Sequence, residues 1–149
     1  MIINFPLRWT IALSSMAMLS APAASAHHSY AMFDLRETAT VEGTVAKLEW
    51  KNPHTFVWIY VKNPDGSGHT LWGFENGPPG LLERGGWTRD SLKAGEKVVV
   101  QYFPLRDGGA GGHFVRAVRA DGSELAGDPY APGVGKELTK GKLGVKVSP

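Results

Sequence analysis

Five short runs of β-branched and aromatic residues, separated by glycine and proline, are the feature that most restricts the fold of this chain. Glycine and proline number 19 and 10 among the 149 residues, a proportion typical of turn-rich β domains and high for a helical bundle. Turn sequences such as Asn-Pro-Asp-Gly at residues 63–66 separate the runs. We therefore predict β-strands over residues 38–50, 54–61, 69–75, 97–103 and 113–120.

The one helical candidate, residues 80–92, lies between the third and fourth predicted strands. Three strands, a short helix and two further strands form the element order of an OB-fold, which is a small closed barrel of five strands. Gly43 interrupts the first strand and predicts a bulge or sharp coil there. The predicted fold is therefore all-β, an OB-like barrel with one short helix between strands 3 and 4. An open β-sandwich fragment is the alternative, but it needs more strands than the sequence offers.

The first 26 residues have the pattern of a secretory signal peptide. One basic residue precedes a mostly apolar stretch over residues 10–21, and Ala-Ser-Ala at 24–26 supplies the small residues that signal peptidase accepts. The apolar stretch is shorter than the roughly 20 residues that cross a bilayer. Cleavage would leave a barrel domain over residues 27–126 and a Gly-, Pro- and Lys-rich tail over 127–149, which we predict to be disordered. We expect an exported, soluble, periplasmic protein.

Charge and cysteine content exclude several classes of function. The 16 Lys and Arg nearly balance the 14 Asp and Glu, whereas a dedicated nucleic-acid binder carries a strong basic excess. The absence of cysteine removes disulfides, zinc fingers and thiol catalysis. No serine lies in a nucleophile elbow, and the glycine-rich run lacks the Lys-Ser/Thr of a phosphate loop. The sequence therefore predicts a binding module rather than an enzyme, with no nucleic-acid partner and no membrane span.

Histidines at the predicted mature N-terminus indicate a metal site. Cleavage after Ala26 makes His27 the first residue, so that its α-amine and imidazole form a chelate that suits Cu(II). Cleavage after Ser25 instead makes His28 the third residue, where the amine, two backbone amides and the imidazole can form a square-planar site. The third nitrogen of the first arrangement would come from another histidine. The candidate metal ligands are His27, His28, His54 and His113.

Simpler explanations of these histidines stay open. A histidine pair at a chain terminus also arises as what signal peptidase leaves behind, and any exposed pair binds Cu(II) weakly. His54 follows Pro53 at a strand start, which is also typical of a polar residue on the barrel rim. His113 follows two glycines, and the sequence does not place it near His27. Copper is thus the predicted cofactor, without a fixed set of ligands.

Alternating aromatic residues predict a second, metal-free function. They occupy every other position of the second and third strands, so each set shares one face of its strand. Cross-strand pairing would join the two sets on the strands with which OB-folds bind ligands, and the patch would fit a small ligand or a periplasmic protein. The same alternation is also typical of side chains facing a barrel core. The candidate ligand-binding residues are Phe56, Trp58, Tyr60, Trp72 and Phe74.

Several short motifs resemble those of a family of small, uncharacterised exported bacterial proteins. They are the His-His-Ser start at residues 27–29, the Trp-x-Asn-Pro-His segment at 50–54 and the Gly-Trp pair at 86–87. The likeness extends over most of the predicted mature chain. It implies an exported β domain of unknown function, and it implies no catalytic residues because the family has no established activity.

Overall fold

The computed structural model describes residues 30–148, and the predicted signal peptide lies outside this range, as do His27 and His28. In the described part, a turn of 3-10 helix at Tyr30–Met32 precedes six strands and two short helices. Neither helix is long and apolar enough to cross a membrane. The strands are β1 (Ala39–Glu49), β2 (Thr55–Lys62), β3 (His69–Asn76), β4 (Lys97–Pro104), β5 (Gly111–Arg119) and β6 (Glu124–Ala126), and the helices are α1 (Pro79–Arg84) and α2 (Val134–Thr139).

Five of these strands close into a barrel. Antiparallel pairing joins β3, β2, β1, β4 and β5 in that order, and a short parallel pairing between β3 and β5 joins the two ends. The sixth strand extends the sheet beyond β5. Because α1 lies between β3 and β4, the prediction of an OB-like barrel with a short helix at that point is confirmed.

The first strand contributes to both halves of the barrel because it changes partner along its length. Its first half pairs with β4 and its second half with β2, and a bulge falls between Val45 and Lys47. The predicted distortion of this strand is therefore present. Gly43 lies near the change of partner, where a Cβ would be 2.7 Å from the carbonyl oxygen of Tyr60. The missing side chain lets the two strands approach this closely.

Alternate residues of the strands fill the barrel interior. Val57 and Ile59 of β2 and Phe74 of β3 are completely buried there. The helix α1 and the loop after it add Leu82 and Trp87 to the same core. Full burial of an aliphatic or aromatic side chain contributes about 1.5–3 kcal/mol to folding. This interior is therefore the main source of stability, and it decides which residues of each strand face outward.

A second apolar cluster lies on the outside of the barrel, and residues near both ends of the described chain build it. Phe103 of β4 and Val115 of β5 pack against Phe33 from the N-terminal segment. Ala131 and Val134, from the segment that contains α2, complete the cluster. The two terminal segments thus cover part of the outer surface of β4 and β5.

The segment from residue 127 to 148 is fastened to the barrel, which differs from the predicted disordered tail. Arg116 of β5 is buried, and its guanidinium donates hydrogen bonds to the carbonyl oxygens of Glu137 (2.6 Å) and Gly141 (2.5 Å). Val134 is completely buried. The composition of this segment is too polar for a core of its own. A few apolar residues suffice here because the barrel supplies the opposing surface.

Candidate functional site

The parallel pairing between β3 and β5, which we call the seam, collects the polar residues of greatest interest. Gly73, Phe74 and Glu75 pair with Gly111, Gly112 and His113. The φ angle of Gly111 is 146°, and a Cβ at this position would overlap the carbonyl oxygen of Gly73. Glycine is required for so close an approach in this conformation. The closure of the barrel thereby places Glu75 directly beside His113.

His113 is buried beneath the N-terminal segment. Its ring centroid lies 5.2 Å from that of Tyr30 and 5.3 Å from that of Phe33. Neither imidazole nitrogen has a hydrogen-bond partner among the described residues. Burial, assisted by the nearby charge of His54, lowers the pKa of His113 to about 4. The ring is therefore neutral at pH 7, and one of its nitrogens has a lone pair available for a ligand.

His54 and Glu75 form a pair at the same seam. The Nδ1 atom of His54 lies 3.2 Å from Oε1 of Glu75, and the side chains are 36% and 14% exposed. Burial raises the pKa of Glu75, and the charge of His54 opposes this rise. A carboxylate next to Nδ1 favours the tautomer that carries its proton there, which leaves Nε2 of His54 free to act as an acceptor or a metal ligand.

Further unpaired polar groups are buried at this end of the barrel. Thr55 and Asn76 face each other across the β2–β3 pairing, and their Oγ1 and Nδ2 atoms have no partner in the described part of the chain. The backbone N–H of Asp128 donates to Oδ1 of Asn76 at 3.0 Å. Burial and, to a smaller extent, the charges of Asp128 and Glu75 raise the pKa of Tyr30. By alternation Thr55 and Asn76 lie on the inward-facing side of β2 and β3, together with Val57 and Phe74, and therefore do not share a face with Glu75.

The seam brings together two of the four predicted metal ligands. His113 is the register partner of Glu75, and His54 contacts Glu75 from the β2 side. The other two, His27 and His28, lie outside the described residues. Among the described residues, no three His, Cys, Asp or Glu side chains form a group that could hold a metal ion. The described part of the seam therefore offers two imidazoles and a carboxylate, but not a complete metal site.

The register divides the five predicted ligand-binding aromatics between two faces. Phe74 is buried in the barrel, and Trp72 packs against the same core with its ring centroid 6.3 Å from that of Phe74. Phe56, Trp58 and Tyr60 occupy the alternate positions of β2 and point outward. The structure thus does not join the five into one patch. Three of them line the outer face of β2, where Tyr60 is 48% exposed.

Glu75 lies in the seam and the ring of Tyr30 packs on His113, although neither residue is among the predicted ligands. Glu75 becomes prominent only through the pairing of β3 with β5, which joins positions 38 residues apart. The glycine-rich run at residues 106–112 is predicted to be a hairpin loop, but its last two residues begin β5. A pair of glycines entering a strand is the one local signal of a close backbone approach that could have indicated the seam.

A comparison with protein-family models places the chain in a group without an assigned activity. The model of a family of unknown function, DUF6152, matches residues 14–114. The chain belongs to this family. The DUF6152 match contains all four predicted metal ligands together with Glu75, and it ends one residue after His113. No curated protein and no solved structure gives a significant match.

Proposed function

We propose that this DUF6152 protein is an exported module that binds one Cu(II) ion at the seam. The ligands are the N-terminal histidines His27 and His28 together with His113, and His54 lies at the outer edge of the site. One observation carries the proposal: His113 is buried with both ring nitrogens unpaired among the described residues. A buried polar group without a partner costs about 1–3 kcal/mol. Coordination of a metal ion would remove that cost.

The position of Tyr30 supports the participation of the chain start. Its ring contacts that of His113, and His28 is only two residues earlier in the chain. An extended chain spans at most about 3.5 Å per residue, so two residues bridge up to about 7 Å and three up to about 11 Å. Chain length thus allows both imidazoles to serve as ligands at the seam, as the proposal requires.

The chemistry of the ligands favours Cu(II) over harder cations. Imidazole nitrogens and an α-amine suit copper, whereas Mg²⁺ and Ca²⁺ take oxygen ligands. Either predicted cleavage gives a copper-competent terminus, because His27 would be first or His28 would be third. Glu75 supplies the carboxylate that commonly orients a metal-binding imidazole through its second nitrogen, here on His54.

The proposal is tested by a Cu(II) titration in the presence of a competing chelator. The protein is exported and processed by cells, and its intact mass identifies the first residue. We expect one Cu(II) per chain, with the affinity reduced about 100-fold or more by His27→Ala or His28→Ala because each change removes a ligand. His69→Ala is the matched control, since His69 lies exposed at the start of β3. Weak binding at several sites, equal in all variants, would contradict the proposal.

A further inference from the structure

The outer face of β2 carries two aromatic rings that the barrel core does not use. Phe56 and Trp58 are half-buried on this face, with centroids 5.7 Å apart and planes inclined by 21°. We call this pair the aromatic shelf. Phe56 is the register partner of Glu75 and Trp58 that of Gly73, so the shelf extends over β3. The two rings are stacked, and their exposed parts form an aromatic patch on the outer face of β2.

Trp58 is held in one orientation by its neighbours. Its Nε1 donates a hydrogen bond of 2.8 Å to Oε2 of Glu49. On the other side the indole lies over Gly73, where a Cβ would be 2.7 Å from the ring. A ring that is already fixed loses little conformational freedom when a ligand packs on it. The arrangement therefore favours binding, because the ring is oriented before any ligand arrives.

Charged groups of both signs surround the shelf. Glu49 pairs with Lys51 and, at 3.4 Å, with Lys47, whose ammonium also lies 5.5 Å from the centroid of the Trp58 ring. The hydrogen bonds from Lys51 and Trp58 lower the pKa of Glu49, which keeps it ionised. Glu75, which pairs with His54 at 3.2 Å, supplies a second carboxylate beside these two ammonium groups. The rim thus offers donors and acceptors without a net charge, which suits a neutral polar ligand better than a polyanion.

We propose that the aromatic shelf binds a neutral oligosaccharide. A pyranose ring has an apolar C–H face, which would pack on Phe56 and Trp58, and hydroxyl groups at its edge, which would bond to the charged rim. OB-fold barrels use the face of strands 2 and 3 for oligosaccharides or oligonucleotides, and the balanced charge at this rim favours the former. This function is independent of copper, because none of the proposed metal ligands belongs to the shelf.

The proposal is tested with metal-free protein and two defined probes, cellohexaose and chitohexaose. The affinity of every variant is measured by isothermal titration calorimetry, and in proteins that retain Trp58 its indole N–H resonance in ¹H–¹⁵N spectra shows where the sugar binds. We expect at least one probe to shift this resonance in a saturable manner, and Trp58→Ala to weaken binding about ten-fold or more. Glu49→Gln, which keeps the ring but weakens its fixation, should reduce the affinity less. Phe56→Ala should weaken sugar binding to a similar extent as Trp58→Ala. A loss of affinity in both variants would not be explained by misfolding of one of them.

Tyr130→Ala is the matched control, because Tyr130 is an aromatic residue that is 82% exposed outside the shelf. It should leave sugar binding unchanged. The proposal is overturned if neither hexasaccharide shifts the Trp58 resonance, or if Tyr130→Ala weakens binding as much as Trp58→Ala. A shift caused by a thymidine oligonucleotide but by neither sugar would equally contradict it. Since the protein contains no metal in this experiment, these outcomes do not depend on whether copper binds.

Discussion

At the scale of the residue, His113 is a buried polar side chain whose surroundings, in the part of the chain that the structure describes, do not satisfy its hydrogen-bonding groups. Its ring packs on Tyr30 and Phe33, and neither nitrogen has a hydrogen-bond partner among the described residues. Such groups are uncommon in folded proteins and are often kept for a function. Here the neutral form, which the depressed pKa ensures at pH 7, is the form that binds a metal.

The pH dependence of stability tests this environment in the metal-free protein. The pKa of His113 is about 4 in the folded chain against an ordinary value of 6.5, so the unfolded chain binds more protons between these pH values. The free energy of unfolding should therefore fall as the pH drops from 6.5 to 4, by up to about 3 kcal/mol from this group. Urea unfolding of His113→Phe, which keeps a buried ring, should lack this component.

The comparison with the variant is needed because Glu75 acts in the opposite direction. Its pKa is raised by burial, so the folded chain holds that proton more tightly and stability from this group declines as the pH rises. Parallel pH profiles for the wild type and His113→Phe would show that the imidazole is not desolvated as described. Profiles that diverge below pH 6.5 would agree with the burial of a neutral ring.

At the scale of the strands, closure of the barrel depends on glycines at the seam. Gly111→Ala should lower the free energy of unfolding by about 3 kcal/mol or more, because the new Cβ meets the backbone of β3. Gly108→Ala is the control in the loop that leads into β5: its φ is also positive, at 74°, but the space around it is open. Its cost should be only about 1 kcal/mol. Equal losses in urea unfolding would contradict the proposed role of Gly111.

The strands were predictable from the sequence because their pattern is local. Alternation in β2, the Asn-Pro-Asp-Gly turn and the glycine in β1 each depend on a few neighbouring residues. The seam was not predictable, since the pairing of Glu75 with His113 is a long-range contact that closes the barrel. The inward or outward direction of the aromatics was also open, because both faces of β2 are apolar and the pattern alone does not choose between them.

The packing of the C-terminal segment, residues 127–148, against the barrel is another feature that the sequence alone does not predict. Its composition is that of a chain that buries little apolar surface on its own. Its order depends on Arg116, a residue of β5, and on the outward-facing Phe103 and Val115. Because the contacts that hold this segment are made with β4 and β5, the composition of the segment alone does not reveal that it is ordered.

At the scale of the whole molecule, the seam and the aromatic shelf are adjacent parts of one outer surface. Glu75 is the register partner of both His113 and Phe56, so it stands between the two proposed sites. The N-terminal segment approaches this surface through Tyr30. The barrel thus serves as a rigid support on which side chains from separate parts of the chain meet, as binding sites on stable scaffolds commonly do.

The most direct test of the copper proposal is electron paramagnetic resonance of the 1:1 Cu(II) complex, recorded for the processed wild type and for His113→Phe. Pulsed spectra report the imidazole nitrogens coupled to the copper ion. We expect the variant to lose the signal of one coordinated imidazole and to bind Cu(II) more weakly, although its fold is retained. Identical spectra and affinities for the two proteins would show that copper, if bound, does not reach the barrel, and would contradict the assignment of His113.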